Sequence, residues 1–417
     1  MYPGPIVQGR CFLFLQGPHG VFFRLLAQRL RARGHRVERI NLNGGDRHDW
    51  QGQGHDFTAR CEEWPIFIDQ FIERHGVTDL VLYGDCRPMH RYAHGIARHR
   101  GCRIHVFEEG YIRPDFMTLE RDGVNGNSAL PADPNFYLEE GRRLPPMQAL
   151  PGVPASFDRR ARDVLAYHLA SARGRFRFRH YRSHRPRNVT VEAAGWLWRA
   201  LTRPAARRRS ADALGRLGER PYFLLPLQLS SDHQIRTHSP FPDMEVATSY
   251  VLQSFAAHAP DDAMLVIKQH PLAYDLRDPE HAIMRQARRL KIAGRVIFVR
   301  FANLEPLIAG ARGVVTVNST TGTLALRRSI PTIVLGHAVY DIPLITHQGS
   351  LDAFWGHPTA PEAEVYEAYC RVLYHRCLIH GGYLSEEGLE MLVENAVPRL
   401  EAEDPASLPA YRAVSTE

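Results

Sequence analysis

CFLFLQGPHGVFFRLLAQRLRARGHRVERINLNGGD, residues 11–46, decides the fold class. Residues 11–16 are a continuous apolar run closed by an amide, which predicts a buried strand. Gly17-Pro18-His19-Gly20 predicts a turn, and residues 21–33 carry apolar side chains at helical spacing up to a stop at Gly34. Strand character returns over residues 36–42 and runs into Asn43-Gly44-Gly45-Asp46, which reads as a second tight turn. Alternating strand and helix imply parallel pairing with helices covering the sheet.

The same alternation continues outward: helix 57–75, strand 79–83, helix 89–100 and strand 103–107, the last ending at Glu108-Glu109-Gly110. It restarts near Pro221 with strands over 222–227, 264–269, 296–300, 314–317 and 332–335. Helices are expected at 243–258, 283–291, 321–328, 363–377 and 385–400. The expected class is α/β: two Rossmann-like, doubly wound domains facing a cleft lined by the C-terminal ends of both sheets. The expected division is a first domain at 1–140, a basic helical connector at 141–218, a second domain at 219–385, and a terminal helix and tail at 386–417.

Composition removes several classes. With 44% hydrophobic and 23% charged residues, the 417-residue chain is neither disordered, fibrous nor a disulfide scaffold. Six scattered cysteines without a C-x-x-C pair argue against a zinc ribbon and fit a reducing cytoplasm. Neither a secretory n-region with an apolar h-region nor an apolar run near the ~18 residues of a membrane span is found. A net charge of +7 points to anionic partners. Residues 159–209 hold fifteen arginines against two acids, Asp163 and Glu192, with Phe176, Phe178, Tyr181, Trp196 and Trp198 interleaved. Three readings stand for that stretch: a solvated helical insertion, a patch for anionic lipid headgroups, or a nucleic-acid contact.

Chemistry concentrates at strand ends. Glu108 and Glu109 follow a strand, where acids point into the ligand crevice; Arg113 stands close enough in sequence to hold one of them charged. Capping is the structural alternative for such a pair. Lys268-Gln269-His270-Pro271 ends a strand of the second half; its proline keeps His270 out of helix, where the imidazole can donate to a leaving phosphate and Lys268 can add charge, the alternative being a buried, satisfied histidine. Asn318-Ser319-Thr320-Thr321-Gly322 joins strand to helix, offering hydroxyls and free N–H groups either to a phosphate or to plain N-capping. Gln16-Gly17 and Asn43-Gly44-Gly45-Asp46 stand at strand ends of the first half, and residues 228–234, with Gln228, Asp232 and Gln234, are too polar for an idle loop. His90 and His94 have i,i+4 spacing, but no glutamate sits beside His90, so no metal site is expected there.

Taken together, residues 15–23, 39–46, 108–114, 226–234, His238-Ser239-Pro240-Phe241, Gln269-His270-Pro271 and 318–322 resemble the bacterial capsule polysaccharide synthesis proteins of the KpsS type. The resemblance spans most of the chain apart from the basic connector and the C-terminal tail. It implies a glycosyltransferase B-type fold and a retaining β-Kdo transferase. Such an enzyme moves Kdo from CMP-β-Kdo to a phosphatidylglycerol or lyso-phosphatidylglycerol acceptor and so starts the capsule polysaccharide linker. It also implies Glu109 as the catalytic carboxylate, His270 at the CMP phosphate, and Ser319, Thr320 and Thr321 on nucleotide or phosphate. No cofactor and no metal are implied, and nucleic acid is not among the expected partners. The expected location is the inner face of the inner membrane, peripheral, with other capsule assembly proteins nearby. Related two-module enzymes carry aspartate at the second acid; Glu109 reaches one methylene further, so nucleophile, base and electrostatic stabiliser all stay open. The alternatives are another nucleotide-sugar transferase, sialyltransferase-like, or a non-catalytic nucleic-acid-binding protein.

Overall fold

The first strand, β1 (Cys11–Phe14), is buried at every position, as its unbroken apolar run dictates. Helix α1 (Phe22–Ala32) buries Phe22, Phe23, Leu26, Ala27 and Leu30, a single stripe at helical spacing. This computed structural model describes residues 9–183, 189–229, 233–271, 273 and 279–403. They form two compact units.

Continuing along the chain come β2 (Arg36–Asn41), α2 (Gly44–Trp50), β3 (His55–Asp56), α3 (Trp64–His75), β4 (Asp79–Tyr83), α4 (Pro88–His99), β5 (Arg103–Glu109) and β6 (Phe116–Arg121). After α5 (Pro134–Arg143) come α6 (Phe157–Arg173) and α7 (Val189–Gly215). The second wound segment is β7 (Tyr222–Pro226), α8 (His233–Thr237), α9 (Met244–His258), β8 (Met264–Lys268), α10 (Pro279–Arg289), β9 (Val296–Val299), α11 (Leu304–Ala309), β10 (Gly313–Thr316), α12 (Thr321–Leu326) and β11 (Thr332–Val334). The chain closes with α13 (Leu351–Phe354), α14 (Ala363–Arg376), β12 (Leu378–His380) and α15 (Glu386–Glu401).

The first unit holds a seven-stranded sheet in the order β12-β6-β5-β4-β1-β2-β3. Pairing is parallel from β5 to β3, whereas β6 and β12 add on antiparallel. The second unit holds a five-stranded parallel sheet, β11-β10-β7-β8-β9. Both are Rossmann-like: the strand order reverses beside β1 in one and beside β7 in the other. Ligands of open α/β sheets bind at the carboxyl ends of the strands at such a reversal.

Several expectations change. Residues 43–46 are no free turn: Asn43 caps α2 and accepts from the Asp46 N–H at 3.0 Å. The expected helix at 57–75 starts only at Trp64, after a short 3₁₀ turn at Cys61–Glu63. Strand β5 runs through Glu108 and Glu109, because β6 pairs with both. The division of the chain also differs. Residues 130–143 group with the second unit, and the chain re-enters the first unit at Arg371. Leu389, Leu392, Val393, Ala396 and Val397 of α15 join the core of Phe12, Phe14 and Phe22, so the terminal helix is a layer of the first unit rather than a tail. The connector is split too: residues 144–183 belong to the first unit and α7 to the second.

Candidate active site

In the first unit the two strand-end acids diverge, as successive strand residues must. Glu109 is held by Arg113 at 2.8 Å and by the Tyr383 hydroxyl at 3.1 Å, with Arg160 at 3.8 Å. Glu108 accepts from the Glu109 backbone N–H at 2.9 Å. Burial pushes its carboxyl up to about 7, and the neighbouring Glu109 charge adds to this against the opposing pull of Arg87 and Arg113. A carboxylate fixed in an ion pair therefore stands next to a carboxyl that exchanges its proton near neutrality. Gly110 is required by the chain itself, since a Cβ there would lie 2.0 Å from the Phe116 carbonyl oxygen.

The expected residues at the ends of β1 and β2 are brought together, but around α6. Gln16, Asn43 and Asp46 are buried. Asp46 accepts from the Leu42 N–H at 2.9 Å and from the Tyr167 hydroxyl at 3.0 Å, and Gln16 reaches Asp46 at 3.3 Å and Tyr181 at 3.2 Å. Asn43 donates to Tyr167 at 2.8 Å and accepts from Ser171 at 3.2 Å. Gly44 and Gly45 lie against α6: a Cβ at Gly44 would be 2.3 Å from the Ala170 carbonyl oxygen. Gly17 lines a small pocket with Arg39, Asp49, Trp50 and Tyr167 beside this network. There burial lifts Asp49 to about 6, despite hydrogen bonds from His48 and the Gly20 N–H.

In the second unit the chain reversal beside β7 is bridged by side chains. Gln228, just after β7, donates to Asn318 Oδ1 at 2.8 Å and accepts from the Asn318 N–H at 3.2 Å. Asn318 also donates to the His238 carbonyl at 3.2 Å. Ser319 Oγ accepts from the Thr321 N–H at 3.1 Å and lies 3.1 Å from the Thr321 hydroxyl, which arranges the loop leading through Thr320 into α12. Lys268, the last residue of β8, is buried with its ammonium donating to the Gln269 carbonyl at 2.9 Å. Gln269 is buried beside it, His270 is half-buried and Pro271 exposed. Ser239 is occupied locally: its hydroxyl meets the Ile235 carbonyl at 2.6 Å and the Phe241 N–H at 3.2 Å. Asp232 lies outside the described residues, as does the side chain of Gln234.

Tyr383, Arg160 and Tyr167 escaped the sequence reading, and Tyr181 entered it only as one of the aromatics of the basic stretch. Tyr383 reaches Glu109 across 274 positions, a separation no periodicity reports; Gly381-Gly382 before it was the one local hint of a tight approach. The histidines at i,i+4 spacing do not converge: His90 Nδ1 contacts the Gly84 carbonyl at 2.7 Å, and His94 Nε2 contacts that of Asp122.

A family model described as capsule polysaccharide biosynthesis protein matches residues 78–383. The chain is 35% identical over 388 residues to the capsule polysaccharide modification protein LipB of Neisseria meningitidis serogroup A, covering 90% of this chain and 91% of that protein. It is 32% identical over 384 residues to the capsule polysaccharide export protein KpsS of Escherichia coli, covering 91% and 98%. Among solved structures, the beta Kdo 2,7 transferase of Thermosulfurimonas dismutans KpsC aligns over 93% of this chain and 99% of its own, at 16% identity and a TM-score of 0.45. Matched by the family model over most of its length and by relatives over nearly their full length, the chain belongs to the capsule polysaccharide biosynthesis protein family.

Proposed function

We propose that this protein is a retaining β-Kdo transferase that moves Kdo from CMP-β-Kdo to a phosphatidylglycerol-type lipid, the first step of a capsule linker. The observation that carries the reading is the Glu108–Glu109 pair: one carboxylate fixed by Arg113 and Tyr383, its neighbour raised to about 7. During transfer the bond between the anomeric carbon and the CMP phosphate breaks and a bond to the acceptor hydroxyl forms. Glu109 faces the positive charge that develops on the sugar, and Glu108 has the proton affinity suited to acid–base duty near neutral pH. The second unit takes the nucleotide, with His270, Lys268 and the Ser319–Thr321 loop at the leaving phosphate. This chemistry uses no metal and no cofactor.

The acceptor is a lipid, and α6 offers a surface for it. Leu165 and Leu169 share the helix face opposite Tyr167 and Ser171, Phe157 opens the helix and Phe176 follows it; Phe157, Leu165, Leu169 and Phe176 are 77%, 61%, 48% and 93% exposed. Arg162, Arg173, Arg175 and Arg179 are exposed around them. An apolar stripe flanked by arginines suits an anionic leaflet. Among the described residues no helix is long and apolar enough to cross a membrane. The test is a transfer assay with CMP-Kdo and lyso-phosphatidylglycerol, run beside CMP-sialic acid and UDP-sugars. A Kdo-lipid product formed only from CMP-Kdo supports the reading; turnover of another donor with CMP-Kdo inert overturns it.

A further inference from the structure

At the outer edge of the first unit's sheet, three side chains from three elements converge without a part in the chemistry above. Glu38 lies in β2, His55 opens the two-residue edge strand β3, and His75 ends α3. We propose that Glu38, His55 and His75 form a binding site for a zinc-class divalent transition metal ion.

Glu38 turns one carboxylate oxygen to each imidazole: Oε2 lies 3.1 Å from His55 Nε2, and Oε1 lies 3.5 Å from His75 Nδ1. One ligand atom from each residue lies within 4.8 Å of the other two. A tetrahedral zinc ion with bonds of about 2.0–2.2 Å needs its ligand atoms roughly 3.3–3.5 Å apart. The two carboxylate–imidazole separations, each to its own carboxylate oxygen, are within a few tenths of an ångström of that, and a rotation of the exposed His55 side chain brings one oxygen and both imidazoles to a common centre. Phe71 packs against both rings. It stacks on His75 at 4.1 Å and 16°, and meets His55 edge-on at 4.8 Å and 77°. Phe71 is itself buried, so this aromatic wall is fixed by the core. The nearby Arg36 is turned to the His75 carbonyl, to which it donates at 2.9 Å.

Two imidazoles and one carboxylate form a donor set suited to zinc, copper or nickel rather than to magnesium or calcium. Exposure of His55 leaves the fourth position to water. Such an ion ties β3 and α3 to β2 at the edge where the ladder holds only the pairs Ile40↔His55 and Asn41↔Asp56. Its role is structural, since it touches neither Glu109 nor His270.

The experiment is calorimetric titration of Zn²⁺ into tag-free, metal-stripped full-length protein, with thermal midpoints and cobalt absorption measured in parallel. The expected result is one saturable site that raises the midpoint. His55→Ala and His75→Ala each weaken it at least about tenfold, as does Glu38→Gln, with circular dichroism unchanged. The control His99→Ala, an exposed histidine elsewhere, keeps it. Cobalt gives a visible absorption band of low coordination number in the wild type and none in His75→Ala. The proposal is overturned if the wild type takes up no zinc, or if His55→Ala and His75→Ala bind it as the wild type does.

Discussion

Glu108 and Glu109 show how two identical side chains become different reagents. They alternate across one strand, so Glu108 is carried away from solvent while Glu109 meets Arg113. The folded state keeps a proton on Glu108 up to about 7, while in the unfolded chain it leaves near 4.5. Folded protein therefore binds more protons between these values, and stability falls as pH rises across that window. In Glu108→Gln the Glu108 share of this loss disappears and the fall becomes smaller, which urea midpoints at about pH 5 and about pH 8 measure directly. The same variant loses the inflection near neutral pH from its transfer profile; an inflection that persists assigns it to another group. The acids were legible because charged residues directly after an apolar run end a strand at its ligand-bearing edge. Their partners were not: Arg160 and Tyr383 arrive through tertiary folding alone. Asn43 and Asp46 were misread as a turn because two glycines follow Asn43, and glycine is a poor helix former. The glycines are there for α6.

Helix α2 and helix α6 approach so closely that their backbones nearly touch at Gly44. Its Cβ would meet the Ala170 carbonyl oxygen at 2.3 Å, and backbone cannot move aside as a flexible side chain can. Gly44→Ala should cost about 1–3 kcal/mol, read as a lower urea midpoint at unchanged slope; an unchanged midpoint refutes the close crossing. In the other unit the Gln228–Asn318 pair spans the reversal between β7 and β10. Gln228→Ala leaves the Asn318 N–H and amide without these partners and loosens the loop that leads to Thr321. CMP affinity should fall about tenfold by calorimetry, while a fall in transfer rate without one would separate the amide bridge from the nucleotide site. The parallel strands were legible from their apolar runs and the helices from their period. Strands β6 and β12 were missed because one follows β5 closely as a hairpin and the other is only three residues long.

The order of elements along the chain gives two wound sheets, yet the units are not consecutive blocks of sequence. Residues 371–403 return to the first unit because the apolar stripe of α15 covers the Phe12–Phe22 core, a long-range pairing that local pattern does not encode. The arginine-rich connector divides likewise. Tyr167, Phe178 and Tyr181 turn inward and Arg177 pairs with Asp56, leaving Phe157, Leu165, Leu169 and Phe176 exposed. Changing Leu165, Leu169 and Phe176 to Ser should cut binding to phosphatidylglycerol vesicles at least about tenfold and spare transfer to a short, water-soluble acceptor; equal loss of both would mark the stripe as structural. The central claim is a division of labour, with the reacting carboxylate in the first unit and the nucleotide held by the second. Glu109→Gln tests it most directly, with CMP affinity and Kdo transfer measured on the same preparation. Transfer lower by at least about a thousandfold at unchanged CMP affinity is the predicted result. Transfer within about tenfold of wild type contradicts the account, because Glu109 then has no part in the chemistry.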